Sequence, residues 1–132
     1  MHTIVLGYDG TDSARRALER TATLANGGPV TVVSAVHVLR GKGGIPYDPV
    51  EEEDHEQHLK EASARLAELG VESRTVEGYG DPAKVITAQA SKVNADLIVV
   101  GTEHKNLIER LLMGSVSSGV VHKAPCDVLV VA

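Results

Sequence analysis

Gly101 to Ser115 is the stretch whose residue types most suggest chemistry: Gly101-Thr102-Glu103-His104 at one end, Met113-Gly114-Ser115 at the other. A glycine and then a hydroxyl residue, where a helix starts, make an anion site. The first-turn N–H groups there lack helical partners, and the helix dipole is positive at that end. Charge agrees with this. From His104 to Lys123 the bases Lys105, Arg110 and Lys123 meet a single acid, Glu109, in a chain of net charge −5. Spacing alone also fits an ordinary turn glycine followed by an ordinary N-cap serine. A second group, Gly7-Tyr8-Asp9-Gly10, ends the first apolar run with one carboxylate between turn glycines.

The elements that must position these groups follow from hydrophobic periodicity. Thr3 to Leu6 reads as a short strand. Ala14, Ala17, Leu18, Thr21, Leu24 and Ala25 recur at helical spacing, with Asp12 or Ser13 as the N-cap and Asn26-Gly27 as the stop. Val30 to Val38 is continuous and β-branched, as expected of a strand buried on both faces. A second helix is predicted from about Val50 to Leu69, ending at Gly70, and a strand from Val71 to Val76. Asp81-Pro82 opens a third helix, with Val85, Ile86, Gln89, Ala90 and Val93 on its inner face. Leu97 to Val100 and Val128 to Val131 are further strands, separated by a helix from Ser115 to Lys123.

Alternating strands and helices require crossover connections, hence a parallel sheet covered by helices on both faces. The expectation is an α/β fold in one domain over residues 1–132: a doubly wound five-stranded sheet of order 3-2-1-4-5. Ligands of such sheets sit outside the carboxyl ends of the strands, where the order reverses. Here that is the crevice between strands one and four. Gly7, Tyr8 and Asp9 are delivered there, with Gly101 onward opposite and His37 and Val38 alongside.

Composition narrows the classes of function. The chain holds three Tyr, no Phe and no Trp, so it lacks the aromatic platforms on which single-stranded nucleic acids stack. An acidic chain also lacks the field that holds a phosphate backbone. One cysteine, Cys126, cannot form an internal disulfide, which fits a reducing compartment. No run approaches the ~20 apolar residues of a membrane span, and the N-terminus does not read as a signal peptide. The expected location is cytoplasmic.

Three blocks together resemble the universal stress protein family: the strand followed by Gly7-Tyr8-Asp9-Gly10-Thr11-Asp12-Ser13; Gly80-Asp81-Pro82-Ala83; and Leu111 to Ser117 leading to Ala124-Pro125-Cys126-Asp127 and the last strand. The resemblance covers essentially the whole chain, and the last block is its most specific part. It implies the fold argued above, a homodimer, and in some members the binding of ATP or another adenine nucleotide, with Mg accompanying the phosphates. The family's nucleotide pattern is glycine, two residues, glycine, nine residues, glycine, then serine or threonine. Gly101, Gly114 and Ser115 match it in register. By that resemblance Asp9 meets the adenine, beside Tyr8 on the same strand end, and Val38 contacts base and ribose through its backbone. Gly101, Gly114, Ser115 and Val116 cradle the phosphates, flanked by Val100 and Gly7. His104 stands where the pattern has its second glycine. Histidine resists the positive φ that glycine permits, while its ring N–H can still meet a phosphate. The resemblance therefore implies a cytoplasmic stress-response protein binding an adenine nucleotide, ATP foremost, with at most slow hydrolysis. The alternative is a dimeric regulatory module of the same fold whose nucleotide site His104 has closed.

Other features have plainer readings. His55 and His58 stand three apart among Glu51, Glu52, Glu53, Asp54 and Glu56, which admits a divalent-metal site. The preferred reading is an acidic first turn on a solvated face, with no metal. Gly41-Lys42-Gly43-Gly44 lacks the spacing of a phosphate loop and reads as a connector. His37 reads as a structural histidine and Cys126 as a small buried hydrophobe. A phosphoacceptor receiver of the same fold would need a lysine ending the fifth strand, where the chain has Val131-Ala132. No nucleophile-elbow pattern is present, and catalysis is not indicated. A last strand lying at the sheet edge leaves backbone groups unpaired, so homodimerisation through Val128 to Val131 is expected.

Overall fold

The computed structural model describes residues 2–36, 49–102 and 115–132. The elements are β1 (Ile4–Gly7), α1 (Asp12–Ala25), β2 (Val30–Val36), α2 (Pro49–Glu68), β3 (Ser73–Tyr79), α3 (Pro82–Lys92), β4 (Leu97–Gly101), α4 (Ser115–Lys123) and β5 (Asp127–Val131). All strand pairs are parallel, and the order is β3-β2-β1-β4-β5. The doubly wound order expected from the alternation of elements is the observed one.

Every residue of β1 and β2 is buried, which is why these strands read as mostly apolar runs, with Thr31 and Ser34 as the buried polar exceptions in β2. The sheet separates two aliphatic clusters. Ile4, Leu6, Val30, Val32 and Val99 pack with α1 and α2 through Ala17, Leu18, Leu59, Ala62 and Leu66. Val5, Val33, Ile98 and Val100 pack with α3 and α4 through Ala83, Ile86, Ala90 and Val120. Residues one apart on a strand thus feed opposite layers, as pleating requires.

β1, β4 and β5 differ from the sequence expectation by one residue at an end or at both, and two further differences have a clear physical cause. The N-cap of α1 is Thr11, not Asp12 or Ser13: its backbone is extended and its hydroxyl accepts from the Ala14 N–H. Asp12 is then the first helical residue, and its carboxylate pairs with Arg15. Strand β3 runs from Ser73 to Tyr79 rather than from Val71 to Val76. Val71 is used to close α2: its N–H donates to the Leu66 carbonyl, the Gly70 N–H donates to Ala67, and Gly70 has φ +79°. That is a Schellman ending, in which a glycine takes the left-handed conformation. In contrast, α3 starts as its sequence reads, with Asp81 accepting from the Lys84 N–H ahead of Pro82. Among the described residues no helix is long and apolar enough to cross a membrane.

Candidate nucleotide site

At the carboxyl edge of the sheet, where β1 and β4 lead in opposite directions, lies a cavity of about 140 Å³. Six of the sequence-predicted residues line it: Gly7, Tyr8, Asp9, Val100, Gly101 and Val116. Val33, Ser34 and Ala35 of β2, Ala14, His55, Pro82 and Ile86 complete the wall. Ser115 begins α4 beside Val116. Val38, His104 and Gly114 lie outside the described residues, as do His37 and the Gly41–Gly44 connector. The cavity is smaller than the 300–1,000 Å³ usual for ligand pockets.

At two of these positions a side chain would crowd its neighbours, against side chains at Gly7 and against backbone at Gly101. A Cβ on Gly7 would stand 2.7 Å from Ile86 Cδ1 and 3.0 Å from Val100 Cγ1. A Cβ on Gly101 would meet the Ser13 and Ala14 backbone at 2.6 and 2.8 Å. The start of α1 is therefore pressed against the end of β4, and the backbone itself forms that part of the wall.

Asp9 is exposed at the rim. Its Oδ1 accepts from the Thr11 N–H at 3.1 Å and from the Thr11 hydroxyl at 2.6 Å. This fixes the carboxylate at the mouth and ties it to the N-cap of α1. Tyr8 borders the cavity, yet its side chain is only 5% exposed and belongs to the α1/α2 cluster. Burial pushes its phenol above the ordinary value, with the Arg15 guanidinium pulling the other way. Its ring is core material, so it offers no stacking face.

The structure revises the reading of α2. Asp54, Glu56 and Lys60 are exposed, as a solvated face requires, but His55 and His58 are half-buried and turn toward the sheet. His55 Nδ1 makes a short hydrogen bond with the Ser34 hydroxyl of β2. His58 packs edge-on against His55, with ring centroids 6.2 Å apart and planes at 81°. Its ring also rests on Gly10, where a Cβ would come within 2.5 Å of Nε2. Gly10, at φ +79°, is thus constrained by conformation and by contact. Among the described residues, no group of three or more His, Cys, Asp or Glu could hold a metal ion.

His55 and Ser34 line the cavity although the sequence reading did not place them there. A signal was present. His55 lies four residues before Leu59 and seven before Ala62, on the stripe that α2 buries. Cys126, just ahead of β5, is half-buried, and burial with the charges of Asp127 and Asp96 raises its thiol pKa. That favours the unreactive thiol form.

The model of the universal stress protein family matches residues 1–132. The chain belongs to this family. A Staphylococcus aureus (strain USA300) protein named as a universal stress protein is 35% identical over 138 residues, spanning 97% of this chain and 82% of the relative. Among solved structures, a universal stress protein in complex with cAMP superposes with a TM-score of 0.77 at 28% identity, covering 99% of this chain and 97% of that one. The universal stress protein of Archaeoglobus fulgidus in complex with dAMP gives 0.79 at 27% identity, covering 100% and 98%. Both of these family members hold an adenine nucleotide.

Proposed function

We propose that this chain binds an adenine nucleotide, ATP foremost, at the carboxyl ends of β1 and β4. The observation that carries the reading is the cavity at the sheet's reversal point. Six residues chosen from the sequence line it, in a family whose relatives hold cAMP and dAMP. The residues present suit such a ligand. Gly7 and Gly101 contribute backbone to its wall, Asp9 offers an acceptor to the base edge, and the start of α4 beside Val116 offers first-turn N–H groups and the positive end of a helix dipole to phosphate. Bound Mg would add countercharge at the phosphates. The walls are aliphatic, so van der Waals contact and backbone polar groups hold the base in place of aromatic stacking.

The protein acts in this reading as a cytoplasmic homodimer, without nucleic acid. β5 supports the dimer: it is the sheet edge beyond β4, and Val128, Leu129, Val130 and Val131 are all half-buried with no strand beyond them among the described residues. The second reading, a regulatory module without nucleotide, is favoured by one observation, His104 at the motif's second glycine.

Calorimetry with ATP, AMP and cAMP at high micromolar protein tests the choice. Binding of any of them supports the nucleotide site. Heat from none of them, together with gain of binding in His104→Gly, establishes the second reading instead. Denaturing freshly purified protein and examining the released material by ultraviolet absorbance and mass spectrometry identifies the ligand. With three Tyr and no Trp in the chain, released adenine stands out.

A further inference from the structure

We infer that His55, anchored by Ser34, is a specificity residue that contacts the nucleoside part of the ligand; this rests on the nucleotide reading above. Among the described residues, few polar side chains reach the cavity. Asp9, Ser34 and His55 line it, while the Tyr8 ring is taken up by the core. A mostly apolar pocket is oriented by such sparse polar groups.

The position of His55 indicates which end of the ligand it meets. Sheet order puts β2 on one side of β1 and β4 on the other. The anion-binding elements, Gly101 and the start of α4, belong to the β4 side, whereas Ser34 and His55 belong to the β2 side. Two strand spacings separate β2 from β4, roughly 10 Å. A ligand whose phosphates lie at α4 therefore presents its nucleoside to His55.

The ring is also held as a recognition group should be. The hydrogen bond between Ser34 Oγ and His55 Nδ1 fixes the ring plane. His58, wedged between His55 and Gly10, closes off one side. Ser34 is thus a positioning residue. His55 distinguishes this chain's site from one formed by β1, β4 and α4 alone.

Adenosine, AMP and cAMP affinities of the full chain, wild type and variants, test this. His55→Ala should weaken all three by about tenfold, the same factor with and without phosphate, as expected for one lost hydrogen bond. His55→Asn should recover part of the loss. Ser34→Ala should weaken binding by a few fold in the wild type and have no effect in the His55→Ala background. Should His55→Ala fail to fold, imidazole NMR of the wild type decides. Saturating cAMP should shift the His55 ring resonances and leave those of His2 and His122 in place. Unchanged affinities in a folded His55→Ala, or an unmoved His55 ring at saturation, overturn the inference while leaving the nucleotide site intact. A wild type that binds none of the three probes overturns the nucleotide reading itself.

Discussion

On one face of the sheet α1 and α2 are joined by a charge pair, and on the other α3 and α4 are joined by contact between small residues. Arg65 of α2 donates through Nε and Nη2 to Glu19 Oε1 of α1, at 3.0 and 2.7 Å. Both side chains are nearly half exposed, at 47% and 48%. Across the sheet, Gly119 of α4 lies so close to α3 that a Cβ there would be 2.7 Å from Ala83 Cβ. A long, solvated ion pair accommodates displacement, since its flexible side chains are screened and adjust. A glycine–alanine contact between two helices does not, because neither residue has a rotamer to turn. The α3/α4 pair sets the rigid wall of the cavity through Pro82, Ile86 and Val116. The α1/α2 pair sends Ala14 and one polar side chain, His55, to it. One face supplies a fixed shape, and the other brings an anchored histidine on a helix pair whose outer contact is solvated.

The difference is broken most directly at Gly119. Replacing a mid-helix glycine gains up to about 1 kcal/mol of helix propensity, while overpacking a tight seam costs about 1–3 kcal/mol. For leucine, which adds four carbons at a position where even the first collides, the cost prevails. Gly119→Leu should be destabilised by about 1–2 kcal/mol, read as a lower urea midpoint with an unchanged slope. A midpoint equal to or above the wild type would mean that this seam yields as readily as the ionic one.

A smaller effect is expected at Tyr8, where the cavity wall meets the α1/α2 layer. Burial raises the phenol's pKa in the folded state. The unfolded chain therefore ionises first, from about pH 10. Stability is fully present below that value and is lost as pH climbs toward the raised folded-state pKa. Tyr8→Phe lacks this loss. Its stability relative to wild type should improve above pH 10, by at most about 1.4 kcal/mol per pH unit for one proton. Parallel wild-type and variant curves from pH 8 to 11 would show that the ring ionises freely and that this side of the cavity is open to water.

The two layers also differed in how far sequence revealed them. Buried strands announce themselves: Val30 to Val36 is mainly apolar on both sides because both sides are covered, and the order of the sheet followed from the alternation of such runs with helices. Strand β3 is an edge strand, with Ser73, Arg74 and Glu77 interrupting any period. Its limits are set by pairing with β2 from Val30–Ser73 to Val36–Tyr79, which no local pattern encodes. The turn glycines and Asp9 were legible as a site because their demands are local: a tight turn, a close approach, a carboxylate at a strand end. His55 was not, because acidic neighbours on α2 imply a solvated helix start. What overrides them is a tertiary partner, Ser34, 21 residues away in sequence.

The smallest effect is expected where the ionic seam is cut. Arg65 carries its guanidinium between Glu19 and Glu68, both bonded to it at the surface, and these carboxylates raise its pKa. Such pairs look strong by distance, but solvent screens them and ordering long side chains offsets the attraction. Arg65→Met keeps the aliphatic stem over the helix and removes the charge. The urea midpoint should stay within error of wild type at 0.15 M salt, and low salt should separate the two curves only slightly. A clear loss at 0.15 M salt would mean that Arg65 clamps α2 onto α1 as firmly as Gly119 fixes α4 onto α3. The layer carrying His55 would then be as rigid as the opposite wall, and the two faces of the sheet would not differ in how they yield.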